Sequence, residues 1–445
     1  MTAKDALARE VRRLALPAIL HSLLQTLVFV VDRLMLGHHS KTSLAAMQIA
    51  GPVEWSTMSV LLAFEVGTVA HVGRLVGAND RERARKAAVV SLGIAGALGA
   101  VVALVFAPAV IGLLPWAFQR ASPEVVDAGR AYLSITLGAS PIVFVAAGAT
   151  ALLQASGDTR TPLVIGAFVN ALHVGTNRVL ILGAFGLPAL GPRGCAISTV
   201  ITFALEAAAA VAVLRWGGGR LVLRGARGAP GGHRAEARAL FAVSWPAALE
   251  RLLYHTGFLG YVGIIGLLGD TAMAANQALV SIESICFLSA DGFGVAAAAL
   301  VAQKLGAKKP EEAAAAAKVA ARYAMTLLGA LGVLFFLARR WVVPAFTDDP
   351  AVADRGVSVM WVLMVAQIPM AASIVLSQAL RGAGRTRHAL AITSLGALVV
   401  RLSCTWGFAV GAGLGLVGVW LGSTCDWLVR TALLAPTATR TIARS

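Results

Sequence analysis

Charge is scarce in this chain. Asp, Glu, Lys and Arg together make up 13% of its 445 residues, against about 25% in soluble domains. With 58% hydrophobic residues and a mean hydropathy of +0.77, that excludes an ordinary soluble domain and leaves a polytopic membrane protein. Acid is scarcer than base, 22 residues against 38, for a net charge of +16. The excess does not signal nucleic-acid binding, because the Lys and Arg residues sit in short segments between apolar runs, where positive-inside loops put them. Cysteine is nearly absent. Cys195, Cys286, Cys404 and Cys425 form no CxxC pair, which argues against a disulfide framework or a thiolate metal site. His21, His71 and His255 are scattered and lack acids at ligand spacing, so no metal site is expected. There is no GxxxxGK[ST] loop to hold ATP. No nucleophile-and-base constellation points to an enzyme. The N-terminus is charged but carries no small-residue cleavage pattern before the first apolar run, so no cleavable signal peptide is expected.

What is present is repetition. The run Leu14–Gly37 is long enough to span a bilayer, since about 20 apolar residues cover the hydrocarbon core. It recurs 229 residues later: Pro17 as Pro246, Leu20 as Leu249, Phe29 as Phe258, Gly37 as Gly266. The register continues without a gap through Gln48 and Gln277, Glu54 and Glu283, Phe64 and Phe293, Glu82 and Glu311. Matches of Gln, Glu and Pro carry weight in so apolar a chain. Twelve spans are expected, at roughly 14–37, 44–73, 87–112, 131–154, 162–183, 194–214, 240–266, 273–303, 318–338, 356–380, 389–410 and 416–434. The fold class is therefore all-α, with twelve transmembrane helices. Six spans per copy is an even number, so the repeat is parallel, with its pseudo-two-fold along the membrane normal. The expected lobes are residues 1–214 and 240–445. A cytoplasmic linker at 215–239 joins them, rich in Gly and Arg and expected to be flexible. The distribution of Lys and Arg places both termini in the cytoplasm.

Four features together resemble the multidrug and toxic compound extrusion (MATE) transporters. The first is LPAI…QTLVFVVDRLMLGHHS, with Asp32 five residues before Gly37-His38. The second is the pair LVGANDRERARKAA and QKLGAKKPEEAAAAAK. The third is the pair of turns QASGDTRTP and LRGAGRTRHA, and the fourth is the six-plus-six repeat itself. The resemblance covers essentially the whole chain. It implies a V-shaped pair of six-helix lobes in a bacterial-type inner membrane. It also implies export of amphipathic, often cationic small molecules, driven by entry of H⁺ or Na⁺, with no cofactor beyond the coupling ion. A monomer in contact with membrane lipid is expected. A lipid or lipid-linked saccharide flippase of the same superfamily is the alternative.

Asp32 matches the first-span acid that binds the coupling ion in that family. Physically, a carboxylate inside a span costs about 2.5–3.5 kcal/mol on insertion scales, and its repeat counterpart is Tyr261. Arg33 is a poor partner, because successive residues on a helix do not face each other. Polar residues of the same lobe, Gln154, His173, Asn177 and Thr202, complete the candidate coupling-ion site. The fifth-span acid of relatives is replaced here by Asn177, and the C-lobe acids by Tyr254 and Met370. One carboxylate with amides and a histidine suits a proton better than Na⁺, which wants several oxygens. Glu54 and Glu283 fall near the midplane of equivalent spans and are candidates to attract a cationic substrate, together with Gln25, Gln48, Gln277, Tyr254 and Tyr261. The competing expectation for the two glutamates is pairing with intramembrane Arg178, Arg251 or Arg401. An anionic substrate also stays open, given Arg33 and Arg178.

Overall fold

The computed structural model describes residues 3–118, 122–224, 232–347 and 349–444. Each expected span falls on helix, as apolar segments in lipid must satisfy their own backbone groups. The first six correspond to α1 (Ala3–His39), α2 with α3 (Lys41–Leu62, Phe64–Gly77), α4 with α5 (Arg81–Val101, Ala107–Ala117), α6 with α7 (Pro123–Gly138, Ser140–Ala155), α8 (Arg160–Leu182) and α9 (Pro192–Trp216). The second six are α10 (His233–Gly266), α11 (Asp270–Gly306), α12 (Pro310–Leu337), α14 (Pro350–Gly382), α15 with α16 (Thr386–Ser394, Arg401–Trp406) and α17 (Gly415–Ala443). A single turn, α13 (Arg339–Val342), follows α12. Among the described residues eight helical stretches are long and apolar enough to cross a bilayer, or nine if α6 and α7, bent by 52°, form one span.

Four expected spans are less regular than their composition suggests, the fourth span through its bend between α6 and α7. The second breaks at Ala63, between α2 and α3. The third holds a π-helical turn, Val102–Phe106, and the eleventh holds two, Leu395–Val400 and Gly407–Gly411. Of the linker, residues 225–231 lie outside the described residues, while Arg215 closes α9 and His233 already opens α10.

The repeat is visible in the backbone itself. Asn79 and Lys308, 229 residues apart, are both left-handed, with φ of 58° and 60°. The bonds Ala78 N to Arg74 O, Asn79 N to Val76 O and Asp80 N to Leu75 O recur as Ala307 to Gln303, Lys308 to Leu305 and Lys309 to Lys304. The turns after α7 and α14 also agree: Gly157 and Gly384 have φ of 86° and 75°, which glycine adopts without a Cβ penalty. Asp158 caps α8, accepting from Thr161 N at 2.9 Å.

Contacts divide the chain into two compact units, Leu23–Ser244 and Met1–Ser22 with Trp245–Ser445. Both divisions fall inside helices, α1 and α10, rather than in the linker. Side chains explain why. In the second unit, Glu10 at the start of α1 meets Lys304 at 3.3 Å and Arg12 lies over the Tyr323 ring. In the first, Glu236 at the start of α10 takes hydrogen bonds from His71 and Arg83, and Ser244 donates to Phe64 O at 3.1 Å. The core of the Leu23–Ser244 unit runs through Leu36, Ile49, Leu133, Leu137 and Ile181, and that of the other through Ile265, Leu279, Leu363 and Trp420.

Candidate functional site

Asp32 lies on α1 and is 8% exposed. Two side chains of α8 reach its Oδ1: His173 Nε2 at 2.8 Å and Asn177 Nδ2 at 2.5 Å. These two are four residues apart, so one helical face presents both. Behind them α9 supplies Thr202, whose Oγ1 is 2.8 Å from His173 Nδ1, and Ser198, whose Oγ is 3.2 Å from the same nitrogen. Thr176 joins through Ser198 at 2.5 Å. His173, Asn177 and Ser198 are buried, and Asn177 Oδ1 has no hydrogen-bond partner.

Counting protons shows what this arrangement can do. Thr202 Oγ1 also lies 2.9 Å from the Ser198 carbonyl oxygen. While its hydroxyl donates there, His173 Nδ1 must carry a hydrogen to donate to Thr202. Nε2 of a neutral ring is then an acceptor. Its contact with Asp32 then needs the hydrogen on the carboxyl. With Thr202 donating to Nδ1 instead, Nε2 carries the hydrogen and donates to the carboxylate, so the same contacts fit Asp32 with or without an added proton.

Of the expected coupling-ion residues, Asp32, His173, Asn177 and Thr202 are therefore brought together. Gln154 is not. It stands at the end of α7, whereas His173 is thirteen residues into α8, about 20 Å further along the helix at 1.5 Å per residue. Sequence position allowed any polar residue of spans 4 to 6, and helix length excludes this one.

Glu54 belongs with the Asp32 group. It accepts a 3.0 Å hydrogen bond from Tyr132 and lies close enough to feel the Asp32 charge. Among the described residues it makes no ion pair with arginine, so the expected alternative of Arg178 or Arg251 as partner does not hold for it; Arg33 and Arg178 are exposed. Glu283 is in the other unit. Its Oε1 is buried without a partner, near Arg401 but not in an ion pair with it. Tyr261 is buried, stacked on Phe258 and capped by Arg401; Tyr254 is half-buried, with its ring against His255. Gln25 and Gln277 are exposed, and the side chain of Gln48 lies outside the described residues.

Sequence reasoning passed over Asp426 and Arg430. Asp426 is fully buried on α17 between two guanidinium groups: Arg401 Nε donates to Oδ2 at 2.8 Å, Arg430 Nε to Oδ1 at 2.5 Å and Arg430 Nη2 to Oδ2 at 2.6 Å. The available signal was two opposite charges four residues apart inside an apolar span. Elsewhere Glu250 is closed off by Arg381 and Thr393, and Asp291 by Gln378. Among the described residues no group of three or more His, Cys, Asp or Glu could hold a metal ion.

An all-helical, internally repeated polytopic protein, with the buried carboxylate Asp32 on its first helix held by side chains of α8, is the architecture of a membrane transporter. The chain belongs to the MatE family, whose model matches residues 17–179 and 246–406. It is 26% identical to the probable multidrug resistance protein NorM of Thermotoga maritima, over 96% of this chain and 90% of that one. It is 22% identical to the uncharacterized transporter YisQ of Bacillus subtilis, over 91% and 88%. The fold matches that of a solved structure described as the outward-facing conformation of a multidrug resistance MATE family transporter of the MOP superfamily. That match has a TM-score of 0.90 and 20% identity, over 100% of this chain and 99% of the other. A MOP superfamily transporter from Pyrococcus furiosus, described as having a binding pocket of reverse polarity, matches with the same TM-score, identity and coverage.

Proposed function

We propose that this chain is a secondary active exporter of amphipathic, cationic small molecules, driven by the exchange of a coupling cation at Asp32, and that the cation is H⁺ rather than Na⁺. The relatives named as multidrug resistance proteins support the substrate class. The observation that carries the choice of ion is the shell of Asp32. The two groups on Oδ1 are nitrogens, His173 Nε2 and Asn177 Nδ2. Na⁺ wants several oxygens and Asp32 Oδ1 already faces two nitrogens, whereas a proton needs only the Asp32–His173 contact already made. Protonation removes the buried charge and its desolvation penalty, so the site favours one conformation when loaded and another when empty. That difference in affinity is all that alternating access requires. Glu54, hydrogen-bonded by Tyr132 beside this site, offers the charge that would draw a cationic substrate.

Exposed Arg33 and Arg178 support a second reading, a flippase for anionic lipid-linked cargo. Flux into proteoliposomes separates the two. An imposed pH gradient should drive ethidium transport in Na⁺-free buffer. Transport that needs Na⁺ and ignores the pH gradient would overturn the choice of ion, and translocation of a labelled anionic lipid with no ethidium flux would favour the flippase. In this reading both termini lie in the cytoplasm of a bacterial-type plasma membrane, supported by the clustering of Lys and Arg in alternate connecting segments, and the chain acts as a monomer.

A further inference from the structure

One buried acid of the first unit plays no part in the contacts around Asp32. Glu206 lies on α9 and is 7% exposed. It stands ten residues before the end of that helix at Trp216, about 15 Å at 1.5 Å per residue, and so is deep in the sixth expected span. Among the described residues it forms no ion pair, and its one hydrogen bond comes from Thr150 on α7 at 3.3 Å. The helices packed against α9 bring it no counter-charge. α7 carries no charged residue. On α8, Arg160 and Arg178 are exposed and His173 is engaged with Asp32. On α6, Glu124 and Asp127 are exposed, Arg130 faces Asp127, and Tyr132 donates to Glu54 of α2. An ionised acid in a span without a partner is costly, and such acids recur in proton relays.

The position of Glu206 continues the Asp32 site. Ser198, Thr202 and Glu206 follow one another at intervals of four, so one face of α9 presents all three. The first two meet His173 Nδ1, at 3.2 and 2.8 Å. Long helical side chains lean toward the N-terminus, and for Glu206 that is the turn holding Thr202. Beyond Glu206 the polar groups pass to α7, first Thr150 and then, four residues on, half-buried Gln154 near the end of that helix. These groups descend toward the end of the bundle where α7 turns into α8 and α9 enters the linker. His173 is about 20 Å from the start of α8, Glu206 about 15 Å from the end of α9 and Thr150 about 8 Å from the end of α7.

The two hydrogen arrangements open to Asp32, His173 and Thr202 differ by one proton. With Asp32 protonated, His173 Nδ1 carries the ring hydrogen and donates to Thr202; with Asp32 ionised, Nε2 carries it and Thr202 donates to Nδ1. In passing from the first to the second, Asp32 gives its proton to Nε2 and Nδ1 gives its own to Thr202 Oγ1, so the proton that departs leaves from the Thr202 hydroxyl. We propose that Glu206 takes it, as a second proton-carrying residue that receives the Asp32 proton through His173 and Thr202 and releases it past Thr150 and Gln154 at the linker end of the first unit. Only O–H and N–H bonds change: the Glu206 carboxylate becomes a carboxyl as the Asp32 carboxyl becomes a carboxylate. This rests on the proton-exchange reading above and names the route by which the proton leaves.

The test uses the full chain in proteoliposomes, ethidium in Na⁺-free buffer, and two variants. Glu206→Gln keeps the side-chain volume and an oxygen for Thr150 but cannot carry the proton. Glu206→Asp keeps the carboxyl and shortens its reach. Flux driven by a pH gradient should fall about tenfold or more in Glu206→Gln and recover most of the parent rate in Glu206→Asp. Exchange of labelled for unlabelled ethidium at equal pH moves no net proton and should stay at the parent rate in both variants, which also shows that they are folded. Parent-like driven flux in Glu206→Gln would overturn the proposal. So would driven flux in Glu206→Gln that equals or exceeds that of Glu206→Asp, the order expected of a packing role, or a loss of equal-pH exchange in step with driven flux. A parent chain that ignores the pH gradient would overturn the proton reading and this proposal with it. A parent that follows the gradient beside an unaffected Glu206→Gln overturns this proposal alone.

Discussion

The fifth and sixth spans of each half carry a buried polar cluster, and the two clusters are built on opposite plans. In the first unit one acid, Asp32, is held by neutral groups from α8 and α9. In the second, α16 and α17 bring two arginines to one acid, Asp426. The turns after α3 and α11, and those after α7 and α14, share their backbone conformation across the halves, so the repeat carries the scaffold and not the chemistry. Among the described residues no Arg or Lys is fixed on Asp32, whereas removing the Asp426 carboxylate would leave two buried cations facing each other. The first plan suits an exchangeable ion, the second a fixed field.

Substitutions that neutralise each acid should therefore act on different properties. The largest effect is expected for Asp32→Asn, which should abolish gradient-driven transport, a loss of about a hundredfold or more, while the thermal midpoint stays within a few degrees, because an amide can still meet His173 and Asn177. Wild-type flux from this variant in a pH gradient would erase the distinction between the clusters. Asp426→Asn should do the reverse. Leaving two buried guanidiniums unpaired destabilises by about 3–5 kcal/mol, readable as a large fall in melting temperature or in the yield of monodisperse protein. If that variant were as stable as the parent, the cluster would not be the fixed element described here.

The smallest effect concerns Glu236, which lies ahead of the seventh expected span and ties the start of α10 to His71 and Arg83. Burial pushes its carboxyl up, but the hydrogen bonds from His71 and Arg83 outweigh this and hold it below its usual 4.5. A depressed folded-state value means that the stabilisation is present above 4.5 and is lost as pH falls through the lower folded value. Melting curves of the parent and of Glu236→Gln should differ modestly at neutral pH and converge in acid. A gap that stays constant down to low pH would mean that the carboxylate charge is not what ties the helix.

Much of the architecture could be read without coordinates, because it follows from one-dimensional facts. Apolar runs of bilayer length must be helical, and the 229-residue register announces two copies. Asp32 stood out for the same reason, as an acid in a run that excludes acids. Legibility fell off wherever two helices had to be compared. His173 and Asn177 are readable as one face, since four residues make a turn. That this face turns to α1, and that Gln154 is left behind at the far end of α7, depends on helix ends and rotations that spacing does not encode. The break at Ala63 and the π-helical turns were equally silent, since an extra residue in a turn leaves composition unchanged.

By itself the sequence determined the class, the repeat, the twelve helical segments and the single buried acid of the first span, each through the cost of exposing backbone or charge to lipid. Only the tertiary structure decided that Glu54 sits with Tyr132 and Asp32 rather than with an arginine, that Asp426 rather than Glu283 satisfies Arg401, and that the starts of α1 and α10 pack with the units their remaining residues do not join. Those outcomes depend on contacts between helices, and a contact of a few ångströms is set by how each helix is turned and tilted, a freedom that the order of residues along one chain leaves open.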